Sequence, residues 1–352
     1  MIKQEVFTNY LWILLFMYAG CSNMNNSGEN IGNSSSSTQY KRPYGINAPW
    51  NIPVKNIPRH PDSGLFVGRL WNEGCNTPGN INLTFDEYTY PIYYTSNASG
   101  IYPVKTKWDT NINGTEIPWN PKWQPASGTD AQIILLDSSK GYEWNLWQVK
   151  FEDNTVLATN GNLVQDGALP GDGSQPANYW LKENGFIPSR GVGIQYLAML
   201  VRPEEIEQGI IRHALSMPII NTDGEFFVAP ATKLEHPDHP SGGVPEGMRY
   251  AIDVTDAEID KWIEGLPDEL PEKAKNAAKI IAIALRDYGL FITDSSGAAH
   301  LQFEDRTTAG TEWDKLGLYS IVMDGKEYPR DLLDDLITKD RLYALIPSDQ
   351  YP

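Results

Sequence analysis

The sequence predicts a mainly β fold, a β-sandwich or jelly-roll-like core with several peripheral α-helices, built as a single domain behind a targeting segment and a flexible tether. Three observations predict it. From residue 43 to about residue 196, short apolar runs rich in Tyr and Trp are separated by Gly, Pro and Asn turn signals every eight to twelve residues, the rhythm of an all-β sandwich or barrel. The second half mixes helical and strand periods without the regular alternation of a doubly wound sheet. No Gly-rich phosphate loop follows any of its strands.

The first element is not part of the fold. Residues 1–20 open with a single Lys3 and contain the apolar stretch 11–18, too short to span a bilayer but long enough for the core of a signal peptide. Ala19 and Gly20 are the small residues a signal peptidase needs, and Cys21 follows at once. This arrangement resembles the lipobox of bacterial lipoproteins, with Tyr18 where Leu is usual. The resemblance implies cleavage before Cys21, lipid on that cysteine, and a membrane anchor in the cell envelope. Ser22 in place of Asp points to the outer membrane. Residues 21–39 contain almost no apolar side chains and cannot offset the entropy of ordering, so they are expected to form a flexible tether. Such a linker has a root-mean-square reach of about 25 Å. The folded domain is expected to occupy residues 40–352.

Composition narrows the function classes. The chain has two cysteines, so Cys75 has no intramolecular partner if Cys21 is lipidated; neither a disulfide framework nor a cysteine zinc site is expected. A formal charge of -17 argues against nucleic-acid binding, which needs clustered Lys and Arg to displace counterions. The Asn-x-Ser/Thr sequons at Asn82, Asn97 and Asn113 carry no meaning behind a bacterial lipobox.

In chain order, strands are predicted at residues 81–85, 88–94, 132–136, 143–151 and 155–157. The segment Asp137-Ser138-Ser139-Lys140-Gly141 supplies hairpin-turn chemistry between two of them. Residues 166–175 read as a long loop. Ile206, Ile210 and Ala214 line one face of a short helix started by Pro203 and weakened by Gly209. Thr255 and Glu258 form a capping box for a helix that Gly265 stops. A longer helix starts at Pro271, with Ala274, Ala277, Ala278, Ile281, Leu285 and Tyr288 on one face and Gly289 at its end. Residues 290–293 and 300–303 are expected to pair as a hairpin across 294–297.

The candidate chemistry lies among aromatic residues. Trp108, Trp119, Trp123, Trp144 and Trp147 fall within forty residues, and flat rings of this kind stack on sugar faces, although aromatics also dominate β-sandwich cores. Strand alternation places Glu143, Asn145 and Trp147 on one face. A carboxyl among aromatics there suits the proton donor of a glycosidase, with Asp130 within reach as a second acid. The plainer reading is a solvent-facing Glu and a turn-making Asp. On the predicted helix Glu205 and His213 lie about 80° apart, which suits either a proton-transfer pair or a packed histidine bonded to a carbonyl. The loop 233–240 holds His236 and His239 with Glu235 and Asp238, but its prolines and lack of regular spacing argue against a metal site. No G-x-S-x-G elbow is present, Cys75 has no obvious His partner, and no cofactor is expected.

Four blocks, GVGIQYLAMLVRPEEIEQGIIRHAL, FVAPATK, GVPEGMR and IAIALRDYGLFITDSSG, together resemble a family of secreted bacterial and fungal β-rich proteins to which no reaction is attached. The resemblance implies an extracellular role in company that handles polysaccharides, and by position it singles out Glu205, His213, Lys233, Arg249 and Asp294. The leading expectation is a tethered glycoside hydrolase acting on a polysaccharide or oligosaccharide. Glu143 would be the donor, Asp130 or Glu205 the base or nucleophile, and His213 an orienting group, with Trp119, Trp123 and Trp147 binding the sugar. Carboxyls about 5–5.5 Å apart would favour retention and about 6.5–9.5 Å inversion. Two alternatives stand beside it: a polysaccharide lyase using His213 or a tyrosine with Arg249 or Lys233 on a uronate, and a non-catalytic glycan-binding lipoprotein.

Overall fold

The structure, a computed structural model, describes residues 43–165 and 190–352. The signal segment, Cys21, the tether and the predicted loop at 166–175 lie outside the described residues. Helix α1 (Ser63–Glu73) buries Phe66, Val67 and Leu70 along one stripe. Nine strands follow: β1 (Asn82–Thr84), β2 (Ile92–Tyr94), β3 (Gly100–Thr106), β4 (Glu116–Trp119), β5 (Ile133–Asp137), β6 (Tyr142–Trp147), β7 (Lys150–Glu152), β8 (Thr155–Ala158) and β9 (Asn160–Val164). All but β1 join two four-stranded sheets, in the orders β2-β5-β6-β9 and β4-β3-β8-β7. The predicted turn between β5 and β6 forms. Asp137 Oδ1 accepts from the backbone N–H groups of Ser139 and Lys140, both at 3.1 Å, and the two strands run antiparallel.

The second half contains α2 (Pro203–Glu207), β10 (Leu215–Ile219), β11 (Arg249–Ile252), α3 (Asp256–Glu264), α4 (Glu272–Asp287), β12 (Leu290–Ser295), β13 (His300–Gln302), α5 (Arg306–Lys315), β14 (Ile321–Met323), β15 (Lys326–Tyr328) and β16 (Leu342–Ala344). A mixed sheet in the order β10-β12-β11-β16 contributes to the most extensive apolar cluster. Helix α4 packs on β11 and α3, burying Ala274, Ala277, Ala278, Ile281 and Leu285 of the predicted face. The capping box of α3 is present, with the Glu258 N–H donating to Thr255 Oγ1 and the Thr255 N–H to Glu258 Oε2. Among the described residues no helix is long and apolar enough to cross a membrane.

The protein is therefore a mixed α/β structure with several small sheets. Among the described residues these sheets do not close into the expected sandwich. Two local expectations also change. The helix expected to run through His213 ends at Glu207, because Gly209 turns the chain at φ +77° and residues 215–219 enter the mixed sheet. Strands β12 and β13 do not pair with each other: β12 lies between β10 and β11, while β13 pairs in parallel with β1.

Candidate functional site

Strands β10 and β12 run parallel, and where the chain leaves their C-terminal ends a crevice opens, the usual position of ligand sites in open α/β sheets. A cleft of about 450 Å³ lies there. Pro218 from β10, Asp294 from β12, and His300 and Gln302 from β13 form one side, with Tyr88, Asp130 and Gln132 from the other half of the chain. Beside Asp294 stands Glu235, from the loop that the sequence leaves irregular.

One backbone N–H fixes these two carboxyls together. Ser295 N donates to Glu235 Oε2 at 2.6 Å and lies 3.2 Å from Asp294 Oδ1. Two carboxyls held this closely resist ionising together, so the pair retains a proton. Burial, then the charge of Glu235, then a hydrogen bond with it raise Asp294 well above the ordinary carboxyl range, while the Arg190 guanidinium opposes the shift. Arg190 is buried beneath the cleft. Its Nη1 donates to Ser216 Oγ at 2.8 Å and Gln302 Oε1 at 2.6 Å, and its Nη2 to the Tyr196 carbonyl at 2.9 Å.

Glycine makes the pair possible. A Cβ on Gly191 would overlap both Glu235 Cδ and Asp294 Oδ1, so only a residue without a side chain fits against the two carboxyls. A third carboxyl supports them from the loop side, since Glu246 Oε2 accepts from the Glu235 N–H at 3.0 Å. Burial pushes Glu246 up to about 7; the Glu235 charge adds to the rise, while the Glu235 N–H, Lys233 and Thr222 oppose it.

Asp130 meets the same cleft in a different setting. Burial raises its carboxyl, but a hydrogen bond from the Trp147 side chain favours the ionised form. Gln132 Nε2 donates to it at 3.3 Å. The Asp130 carbonyl accepts from Gln148 N at 2.7 Å, which ties the end of β6 to this segment and sets Trp147 beside the carboxyl. The half-exposed Trp108 leans on Trp147, with ring centroids 5.6 Å apart.

Of the residues expected from sequence, Asp130, Asp294 and Trp147 converge here. The others do not. Glu143 is fully buried and accepts from the Tyr44 hydroxyl, from Asn145 Nδ2 at 2.7 Å and from Leu197 N at 3.0 Å, so the face it shares with Asn145 is covered by protein. Its carboxyl is raised by burial, but no substrate reaches it, and it is not a proton donor in this structure. Trp119 and Trp123 are core: they pack edge to face at 5.5 Å, with Tyr93 stacked on Trp123 at 4.9 Å. Arg249 is buried and donates to the carbonyls of Ile52 and Tyr288, both at 2.6 Å, which fixes the N-terminal segment to the mixed sheet instead of facing a substrate.

The Glu205–His213 pair forms, at 3.1 Å between Oε2 and Nε2, although the chain between them turns rather than continuing as a helix. Both side chains are buried, and His213 Nδ1 bonds the Ala214 carbonyl at 2.8 Å, so this is the packed-histidine arrangement and stands apart from the cleft lining. Lys233 is half-buried near Glu246, acting on its charge from outside the cleft lining. Sequence reasoning misses Glu235, Gly191, Arg190 and Glu246 as a working unit. Among the described residues no group of three or more His, Cys, Asp or Glu side chains is arranged to hold a metal ion. No family model, curated protein or solved structure matches the chain.

Proposed function

We propose that the protein is a carbohydrate-active hydrolase, held at the cell envelope by lipid on Cys21, that cleaves glycosidic bonds in the cleft between Asp294 and Asp130. The observation that carries this reading is the Asp294–Glu235 carboxyl pair, gathered on the Ser295 N–H at a cleft that also presents Asp130. Two carboxyls whose surroundings separate their protonation states are what acid–base cleavage of an acetal needs. Asp294, enclosed beside a second carboxyl, keeps its proton. Asp130 is also raised by burial, but less than Asp294, because the hydrogen bond from the Trp147 side chain opposes the rise; of the two it is the one that gives up its proton first.

In the reaction, Asp294 gives its proton to the glycosidic oxygen as the carbon–oxygen bond breaks, and the leaving sugar departs as an alcohol. Asp130 removes a proton from a water whose oxygen bonds to the anomeric carbon. Return of one proton to Asp294 and loss of one from Asp130 to solvent restore the site. Trp147, which bonds Asp130, with the half-exposed Trp108 against it, and the exposed ring of Tyr88 in the cleft offer faces on which sugar rings stack. A lyase would need a cation facing a uronate. Arg330, the cleft's Lys or Arg cation among the described residues, is engaged by Asp331 at 2.8 Å and Glu327 at 2.8 Å, which favours hydrolysis.

The test is incubation of the purified protein with a panel of polysaccharides, following reducing ends and the ultraviolet absorbance of unsaturated products. Hydrolysis gives reducing ends without that absorbance, and Asp294→Asn or Asp130→Asn lowers the rate by about a hundredfold or more. Unsaturated products would establish a lyase, and binding without either signal a glycan-binding protein. Labelling with radioactive palmitate, lost in Cys21→Ser, tests the anchor.

A further inference from the structure

Arg330 stands at one rim of the cleft. That residue also lines a second basin of about 490 Å³, and the chain from Asn80 to Asn82 runs from the second basin into the first. Asp331, Asp334 and Asp335 line the second basin and also a third, smaller one of about 200 Å³. Each basin has an aromatic residue in its wall: Tyr88 in the first, Trp71 in the second and Trp262 in the third. The Trp262 ring is held by its indole N–H, which donates to the Asp334 carbonyl at 2.9 Å. Trp71 lies against Gly79, where an added Cβ would overlap its ring.

The charges along this path set the kind of ligand. Its cations are already engaged: Arg330 makes a two-point contact with Asp331, at 2.8 and 2.9 Å, and Lys326 meets Asp334 at 2.9 Å. Carboxylates line all three basins. A uronate or a sulfate ester would meet these carboxylates, while the Lys and Arg side chains lining the basins, Arg330 and Lys326, are already paired with acids. Rings of uncharged sugars would meet aromatic faces and hydrogen-bond acceptors.

We propose that the three basins form one groove that binds an extended, uncharged glycan chain, several sugar units running from the acid pair past Arg330 to Trp262, so that cleavage falls within chains rather than at their ends. This rests on the hydrolase reading for the cleavage step, but the binding claim stands on the groove itself. Trp71 and Trp262 are the outer stacking positions, and their effect grows with the length of the ligand.

The test uses the full-length protein in detergent with Asp294→Asn as the binding form. Calorimetry with neutral gluco-, manno- and xylo-oligosaccharides of two to eight units should show affinity for one series rising stepwise with length, and no binding of oligogalacturonate. Trp71→Ala or Trp262→Ala should weaken the longest ligand about three- to tenfold and leave the shortest unchanged, as expected for one lost ring contact. Because both tryptophans are partly buried, Asn80→Trp, which obstructs the second basin from an exposed position, provides a variant that spares the core. It should bring the affinity for long ligands down to that for short ones. Affinity independent of length, preference for the acidic series, no binding at all, or equal losses for short and long ligands in the variants would overturn the groove. Bond cleavage by the wild type with length-independent binding would overturn the groove alone. Length-dependent binding without cleavage would overturn only the hydrolase reading.

Discussion

Replacing Glu246 by glutamine should stabilise the protein at alkaline pH and change it little in acid. Burial, with the charge of Glu235 adding to it, pushes the Glu246 carboxyl up to about 7 from an ordinary value of 4.5. The unfolded chain therefore releases this proton near pH 4.5, while the folded protein keeps it until about pH 7. Stability from this group is fully present below pH 4.5, falls as pH rises toward 7, and is level beyond. A shift of about 2.5 units at about 1.36 kcal/mol each costs about 3 kcal/mol once both states are ionised. Between about pH 5 and about pH 8.5 the loss is about 2.5 kcal/mol. Glutamine keeps an oxygen to accept from the Glu235 N–H and has no charge to bury. Urea unfolding of both proteins at the two pH values measures the effect. The gap between them should widen by about 2–3 kcal/mol at the higher pH. Curves that stay parallel would show that Glu246 does not hold its proton in the folded state, and the electrostatic description of the loop would be wrong.

Gly191→Ala should abolish turnover and lower stability by about 1–3 kcal/mol, because its methyl group overlaps both carboxyls of the pair; activity assays and thermal melts check this together. Glu143→Ala removes the acceptor of three buried donors and should lower stability by about 3 kcal/mol or more, whereas Asp130→Asn should leave the melting curve almost unchanged while turnover disappears. If Glu143→Ala instead folded normally and lost only turnover, Glu143 would return as a catalytic group.

The parts of the fold that are legible in the sequence are those decided locally. The α3 capping box, the apolar face of α4 and the Asp137 turn each depend on residues within a few positions of one another. The role expected of Glu143 fails for a reason that local pattern cannot supply. Alternation correctly places it with Asn145, but what covers that face is the chain around Tyr196 and Leu197, more than fifty positions away. The β12–β13 hairpin fails in the same way, since each strand pairs elsewhere in the chain. Glu205 and His213 meet as expected by a different path, a turn at Gly209 in place of helical spacing. Glu235 is legible only as one of four polar residues in an irregular Pro- and His-rich loop, and nothing local shows that the fold brings it to Asp294.

That division between strand and loop has a functional consequence. Asp294 sits on a strand of the mixed sheet, where packing fixes its position, while Glu235 reaches it from a loop held by the Ser295 and Glu246 contacts. The loop can therefore change the acidity of Asp294 without moving it. Both the charge of Glu235 and its hydrogen bond raise Asp294. Glu235→Gln removes the charge and adds an amide donor, and each change favours the ionised form of Asp294, so its carboxyl should titrate lower. In the proposed reaction Asp294 acts in its protonated form, and its loss of a proton sets the alkaline limb of the pH–rate profile. That limb should move to lower pH in Glu235→Gln, with activity retained on the acidic side of the profile. Asp294→Asn should show no recovery at any pH. An alkaline limb that stays in place would mean that a group other than Asp294 donates the proton, and would separate the acid pair from the chemistry even if the cleft binds glycans.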